Sequence, residues 1–148
     1  MKTLIINGGT IEDAFALSYI ERVKPDCILA ADRGMEFCYR NQIKPDVILG
    51  DYDSADKTIL EAFRRQSGIE WHQYQPEKDY TDSEIAIGKA MERNSSEIHI
   101  LGGTGTRLDH VLGNIQLLMQ PLAKDIPCFL IDLSLIHISE PTRRVVIS

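Results

Sequence analysis

Short apolar runs alternate along the chain with longer amphipathic stretches. The runs are Thr3–Asn7, Cys27–Asp32, Val47–Asp51, Ile69–Tyr74, Glu97–Leu101 and Pro127–Asp132. Helical patterns lie between most of them, clearest at Ile11–Val23, Lys57–Arg65, Ser83–Arg93 and Leu108–Met119. The continuous runs CILAA and VILG lack the alternation of a half-exposed strand, so they predict strands buried on both faces. Strands alternating with helices predict βαβ units: an α/β fold with a mainly parallel sheet and helices on both faces.

Two segments nearly repeat, KPDCILAAD (Lys24–Asp32) and KPDVILGD (Lys44–Asp51). In each, a Pro-Asp turn feeds a buried strand that ends at a carboxylate, and two similar strand entries in one sheet explain the repeat. Ligands of open α/β sheets sit beyond the carboxyl ends of the strands. Asp32 and Asp51 are therefore expected to face one crevice.

Composition narrows the function. The chain has 148 residues, is 43% hydrophobic and carries a formal net charge of −6. The length and apolar content suit one globular domain with a real core. The acidic balance argues against general affinity for nucleic acid or an anionic membrane. No segment is long and apolar enough to span a bilayer. Cys27, Cys38 and Cys128 are odd in number and form no CxxC pair, so buried or half-buried free thiols in a reducing cytoplasm are expected. Trp71 and Tyr80 are expected to be packing residues.

Four segments could carry chemistry. Gly50-Asp51-Tyr52-Asp53-Ser54 follows the third strand and sets two carboxylates at i and i+2, where both can turn toward one hard cation; alone, such a pair is also a common solvated loop. In Glu77–Glu84, Thr81 and Glu84 have the spacing of a capping box, and Asp82 suits a first helical turn. Lys78 beside Asp79 reads either as a solvated pair or as a phosphate ligand beside a metal ligand. Gly102-Gly103-Thr104-Gly105-Thr106-Arg107-Leu108-Asp109-His110 follows a strand and opens a helix. Its glycines let the backbone approach an anion, and Arg107 adds a cationic fork suited to phosphate. It matches neither G-x-G-x-x-G nor the P-loop spacing. Asn7-Gly8-Gly9-Thr10 leaves room for a nucleotide, or is a plain turn in which Thr10 caps the first helix. Together, Asp32, Asp51, Asp53 and Asp79 form an acidic set that would repel itself without cations. Magnesium held by such carboxylates, with Arg107 opposite, would neutralise the phosphates of ATP.

Ala31-Asp32-Arg33-Gly34, Gly50–Ser54, Lys78-Asp79-Tyr80-Thr81-Asp82 and Gly102–His110, with Asn114 and the helix after it, resemble the ordered motifs of the thiamine pyrophosphokinases over about Met1 to Asp132. The resemblance implies a Rossmann-like, three-layer catalytic domain followed by a β-sandwich domain, in a homodimer that binds thiamine at its interface. It implies transfer of diphosphate from ATP to the hydroxyl of thiamine, with Mg²⁺ as cofactor and AMP as product. Asp51, Asp53 and Asp79, with Asp32 nearby, correspond to metal ligands. Gly8, Gly9, Asp32, Arg33 and Gly34 fall at the nucleotide site, as do Lys78, Thr81, Asp82, Gly103 and Thr104. Arg107 would bind phosphate, and Asp109 would orient substrate or help deprotonate the hydroxyl. Arg33 stands where many members have Gly, and Tyr52 where Phe is usual.

From Leu133 the chain reads LSLIHISEPTRRVVIS. It shows neither helical periodicity nor a closing turn and resembles the translation of a sequencing-adaptor read. The expected organisation is a catalytic, ATP- and Mg-binding domain at 1–132 and a non-native or truncated tail at 133–148, where the β-sandwich domain would begin. A catalytically incompetent nucleotide-binding fragment is the alternative reading. Behind it rank a nucleotide-sugar glycosyltransferase, which would also use a DxD, and a haloacid-dehalogenase-like phosphatase, whose DxD normally follows the first strand.

Overall fold

Apolar residues on both faces of each central strand build the fold from the inside. The computed structural model describes residues 1–9, 11–31, 33–50, 55–73, 82–102, 121 and 124–131, with Asp82, Ser83, 136–140 and 144–147 described by backbone only. Six parallel strands appear in these residues: β1 (Lys2–Ile6), β2 (Cys27–Ala31), β3 (Val47–Gly50), β4 (Glu70–Gln73), β5 (Glu97–Leu101) and β6 (Cys128–Ile131). Each falls on a run predicted from sequence. The helices are α1 (Asp13–Val23), α2 (Gly34–Arg40), α3 (Lys57–Arg64) and α4 (Asp82–Glu92). The expected helix at Leu108–Met119 lies outside the described residues.

Successive strand residues point to opposite faces, and the sheet separates two cores. Ile5, Leu29, Leu49, Ile98 and Leu130 pack with Ala86, Ile87 and Ala90 of α4. Leu4, Ile6, Ala30, Ile48 and Leu101 pack with Ala16 of α1, Met35 and Phe37 of α2, and Ile59 and Phe63 of α3. Helices thus cover both faces, as expected. Burying each Leu, Ile or Phe contributes about 1.5–3 kcal/mol. Cys27, Cys38 and Cys128 are buried free thiols. Trp71 packs at the rim of the second core, with the Arg64 guanidinium 5.4 Å from its ring centre.

The near-repeat sets strand register twice in the same way. The Asp26 amide donates to the Lys2 carbonyl and its Oδ2 accepts from the Lys2 amide, both at 2.8 Å. The Asp46 amide donates to the Ile28 carbonyl and its Oδ2 accepts from the Ile28 amide, again at 2.8 Å. Each Pro-Asp turn thereby locks its strand to the previous one at the end opposite the expected crevice.

Three features depart from the sequence pattern. Helix α1 is capped by Glu12; Thr10, the cap in one reading of the first turn, lies outside the described residues. The Glu12 carboxylate accepts from the amides of Ala14 at 3.2 Å and Phe15 at 2.7 Å, which satisfies open donors and faces the positive end of the helix dipole. Helix α2 was not among the helical patterns, because it is short and starts with glycine. The tail, read as having neither helical periodicity nor a closing turn, contains β7 (Ile136–Glu140) and β8 (Arg144–Ile147), which extend the sheet antiparallel beside β6. Strand order among the described residues is β4-β3-β2-β1-β5-β6-β7-β8.

Candidate active site at the carboxyl ends of the parallel strands

The strand order reverses between β1 and β5. Strands β1 to β4 step outward in one direction, and α4 then carries the chain back across the sheet to place β5 on the other side of β1. Such a switch point opens a crevice beyond the carboxyl ends, because the connections on its two sides diverge. Register is aligned there: Ile6 lies beside Leu101, and Ala31 beside Leu49.

The floor of this crevice is stitched by backbone. The Asn7 amide donates to the Leu101 carbonyl at 2.8 Å, and the Gly9 amide to the Gly102 carbonyl at 2.7 Å. Gly102 has φ +76°, and a Cβ there would stand 2.4 Å from the Asn7 carbonyl oxygen. Only glycine meets both demands. Gly34, the first residue of α2, would place a Cβ 1.9 Å from the Ile6 carbonyl oxygen. The end of β1 is therefore clasped between two glycines from neighbouring elements.

The sequence-predicted residues divide into two groups. Gly8, Gly9, Arg33 and Gly34 are described and gather at the ends of β1 and β2, next to the switch point. Gly8 is exposed and Gly9 half-buried. The Arg33 side chain is exposed, with Nη2 3.4 Å from Glu36 Oε2. Asp82 is the first residue of α4, with its side chain outside the described residues. Asp32, Asp51, Asp53, Lys78, Asp79, Thr81, Gly103, Thr104, Arg107 and Asp109 also lie outside them, as do Thr10, Tyr52 and Tyr80. By chain position, Asp32 is next after β2 and Asp51 next after β3. Among the described residues no group of three His, Cys, Asp or Glu is arranged to hold a metal ion. No helix among them is long and apolar enough to cross a membrane.

Gly102 stands in the Gly102–His110 motif but was not among the expected site residues. Its signal is a glycine directly after a buried strand. A buried polar contact nearer the strand starts was also not anticipated. His99 of β5 meets the Tyr19 hydroxyl through Nδ1 at 2.5 Å and Glu97 Oε1 through Nε2 at 3.1 Å. It stacks on Phe129 with ring centres 4.7 Å apart. Burial holds its pKa below the ordinary value against the opposing effect of Glu97. This cluster lies under α1, away from the crevice, and is structural.

The family profile described as "Thiamin pyrophosphokinase, catalytic domain" matches residues 22–130. The chain belongs to this family. Similarity to a thiamine pyrophosphokinase of Bacillus subtilis is 39% identity over 107 residues, covering 70% of this chain and 48% of that relative. Thiamine pyrophosphokinase 2 of Arabidopsis thaliana is 35% identical over 88 residues, covering 55% of this chain and 33% of the relative. Among solved structures, the Bacillus subtilis thiamine pyrophosphokinase superposes with a TM-score of 0.75 at 29% identity, over 90% of this chain and 61% of that one. The Geobacillus thermodenitrificans thiamin pyrophosphokinase does so with a TM-score of 0.69 at 27% identity, over 86% and 59%. The chain thus spans less than half the length of these two sequence relatives and about three-fifths of the two solved chains. The α/β architecture and parallel sheet are those of the thiamine pyrophosphokinase catalytic domain.

Proposed function

We propose that this chain is the ATP-binding catalytic part of a thiamine diphosphokinase, which transfers diphosphate from ATP to thiamine. The observation that carries the reading is the switch-point crevice between β1 and β5, within a chain of the thiamine pyrophosphokinase family. In the reaction, the thiamine hydroxyl oxygen bonds to the β-phosphorus of ATP. The bond from that phosphorus to the α,β-bridging oxygen breaks, and AMP leaves. The hydroxyl proton passes to a base, for which Asp109 is our candidate.

The donor set suits Mg²⁺, a hard ion that prefers carboxylate oxygens and shares them with phosphates. Asp51, Asp53 and Asp79, with Asp32, are the proposed ligands; bound there, the ion would offset phosphate charge. Gly8, Gly9, Gly103 and Thr104 would let the backbone close on the nucleotide, and Gly34 would seat α2 beside it. Arg33, Lys78 and Arg107 would face its phosphates, with Thr81 and Asp82 shaping the start of α4 beside them. Positioning and charge stabilisation supply most of the catalysis in transfers of this type. We further propose a cytoplasmic homodimer whose thiamine pocket needs a β-sandwich domain following this one, and a non-native segment from Leu133 onward.

The test is AMP formation from ATP, with and without thiamine and Mg²⁺, by a chain carrying a complete C-terminal domain. Thiamine- and Mg²⁺-dependent AMP is expected. Asp53→Asn should lower that rate by at least about a hundredfold with the fold intact. Near-normal turnover in the variant would remove Asp53 from the site. Release of a nucleoside diphosphate from a sugar nucleotide would favour the glycosyltransferase reading.

A further inference from the structure

We propose that Gly34 is a positioning residue for Arg33, holding that guanidinium at the mouth of the nucleotide crevice by letting α2 seat directly on the end of β1. The proposal rests on the nucleotide site advanced above.

The geometry leaves little freedom. Strand β2 ends at Ala31 and α2 begins at Gly34, so two residues join them. A Cβ on Gly34 would lie 1.9 Å from the Ile6 carbonyl oxygen, 2.6 Å from its carbon and 3.3 Å from its Cγ2. Ile6 cannot yield, because it is wholly buried and in register with Ala30 on one side and Leu101 on the other. A side chain at position 34 is therefore accommodated only by moving α2.

Arg33 would move with it. It occupies the N-cap position of α2, its carbonyl accepts from the Glu36 amide at 3.0 Å, and its guanidinium is paired with Glu36 in the same first turn. The rest of α2 is anchored by buried Met35, Phe37 and Cys38. Arg33 is thus attached to a rigid body whose approach to β1 is set at one atom-sized contact. Glycine is unfavourable at a helix position, and the absence of space explains its presence here.

The test is a double-mutant cycle on binding of ATP with Mg²⁺, followed by calorimetry on the full chain, with circular dichroism as the folding check. Arg33→Ala and Gly34→Ala should each weaken binding by about tenfold, the scale of a lost phosphate-guanidinium contact. The double variant should bind no worse than Arg33→Ala alone, because Gly34 acts through Arg33. A merely structural role would instead give losses that add. Gly88→Ala in α4, where a Cβ meets nothing within 4 Å, should bind as the unmodified chain does.

If Gly34→Ala does not fold, one glycine inserted between Arg33 and Gly34 decides the matter. It leaves Gly34 against Ile6 while releasing Arg33, and should reproduce the Arg33→Ala loss. Additive losses, unchanged binding in folded Gly34→Ala, or normal binding by the insertion variant would overturn the proposal while leaving the nucleotide site standing. Failure of the unmodified chain to bind would bring down both.

Discussion

The Gly9 amide donates to the Gly102 carbonyl across 2.7 Å, joining the turn after β1 to the turn after β5. These residues are 93 positions apart in the chain, and their bond closes the floor of the crevice at the point where strand order reverses. Gly102→Ala should destabilise the fold by about 2–4 kcal/mol, since it combines a left-handed conformation with a clash against Asn7. Thermal or urea unfolding measures this. A loss under about 0.5 kcal/mol would contradict the geometry.

Asp46 clamps β3 to β2 with its backbone and side chain together. Asp46→Ala removes the side-chain half, leaving the Ile28 amide without that acceptor, and should cost about 0.5–1.5 kcal/mol. Asp46→Asn keeps an acceptor oxygen and should cost less. Urea titration of both separates the hydrogen bond from a general effect of charge.

His99 makes stability depend on pH. It faces Tyr19 from α1, Glu97 on its own strand, Phe129 of β6 and the charge of Lys2 on β1. Its folded pKa lies below the ordinary 6.5, first because of burial. The unfolded chain therefore binds the proton more readily than the folded one. The His99 contribution is full at pH above about 6.5 and is lost as pH falls through that value toward the folded pKa. The melting temperature should drop between pH 7.5 and pH 5, and His99→Gln should flatten that dependence. An unchanged slope in the variant would show that other groups govern it.

The cysteines should be silent until the chain opens. Burial pushes the Cys38 and Cys128 thiols up to about 12 and also raises Cys27. The thiolate is the reactive form, so a disulfide reagent at pH 8 should find no fast-reacting thiol in the folded chain and three in denaturant. Rapid labelling of the folded chain at any of the three would contradict this burial.

Much of the fold was legible in order along the chain. CILAA and VILG are apolar without alternation, and that pattern alone requires strands covered on both faces. The helix stretch at Lys57–Arg65 declared itself by period, and the two Pro-Asp entries marked matching strand starts. Helix α2 was hidden because Gly34 and the six residues of mixed propensity after it carry little local signal; its packing against β1 and β2 makes it helical. The cap of α1 was not legible, because glutamate is not among the usual cap residues; the backbone turns at Glu12, whose side chain reaches two amides.

Residue order by itself determined which segments are strands and which carboxylates and glycines follow them, because periodicity and turn chemistry are local properties. Only the tertiary structure decided that β5 returns to the far side of β1, that Gly34 and Gly102 close on the same strand end, and that His99 meets Tyr19. Those are contacts between residues distant in the chain. They depend on how the helices pack across the sheet, a choice made by burial of whole faces rather than by any one segment's preference.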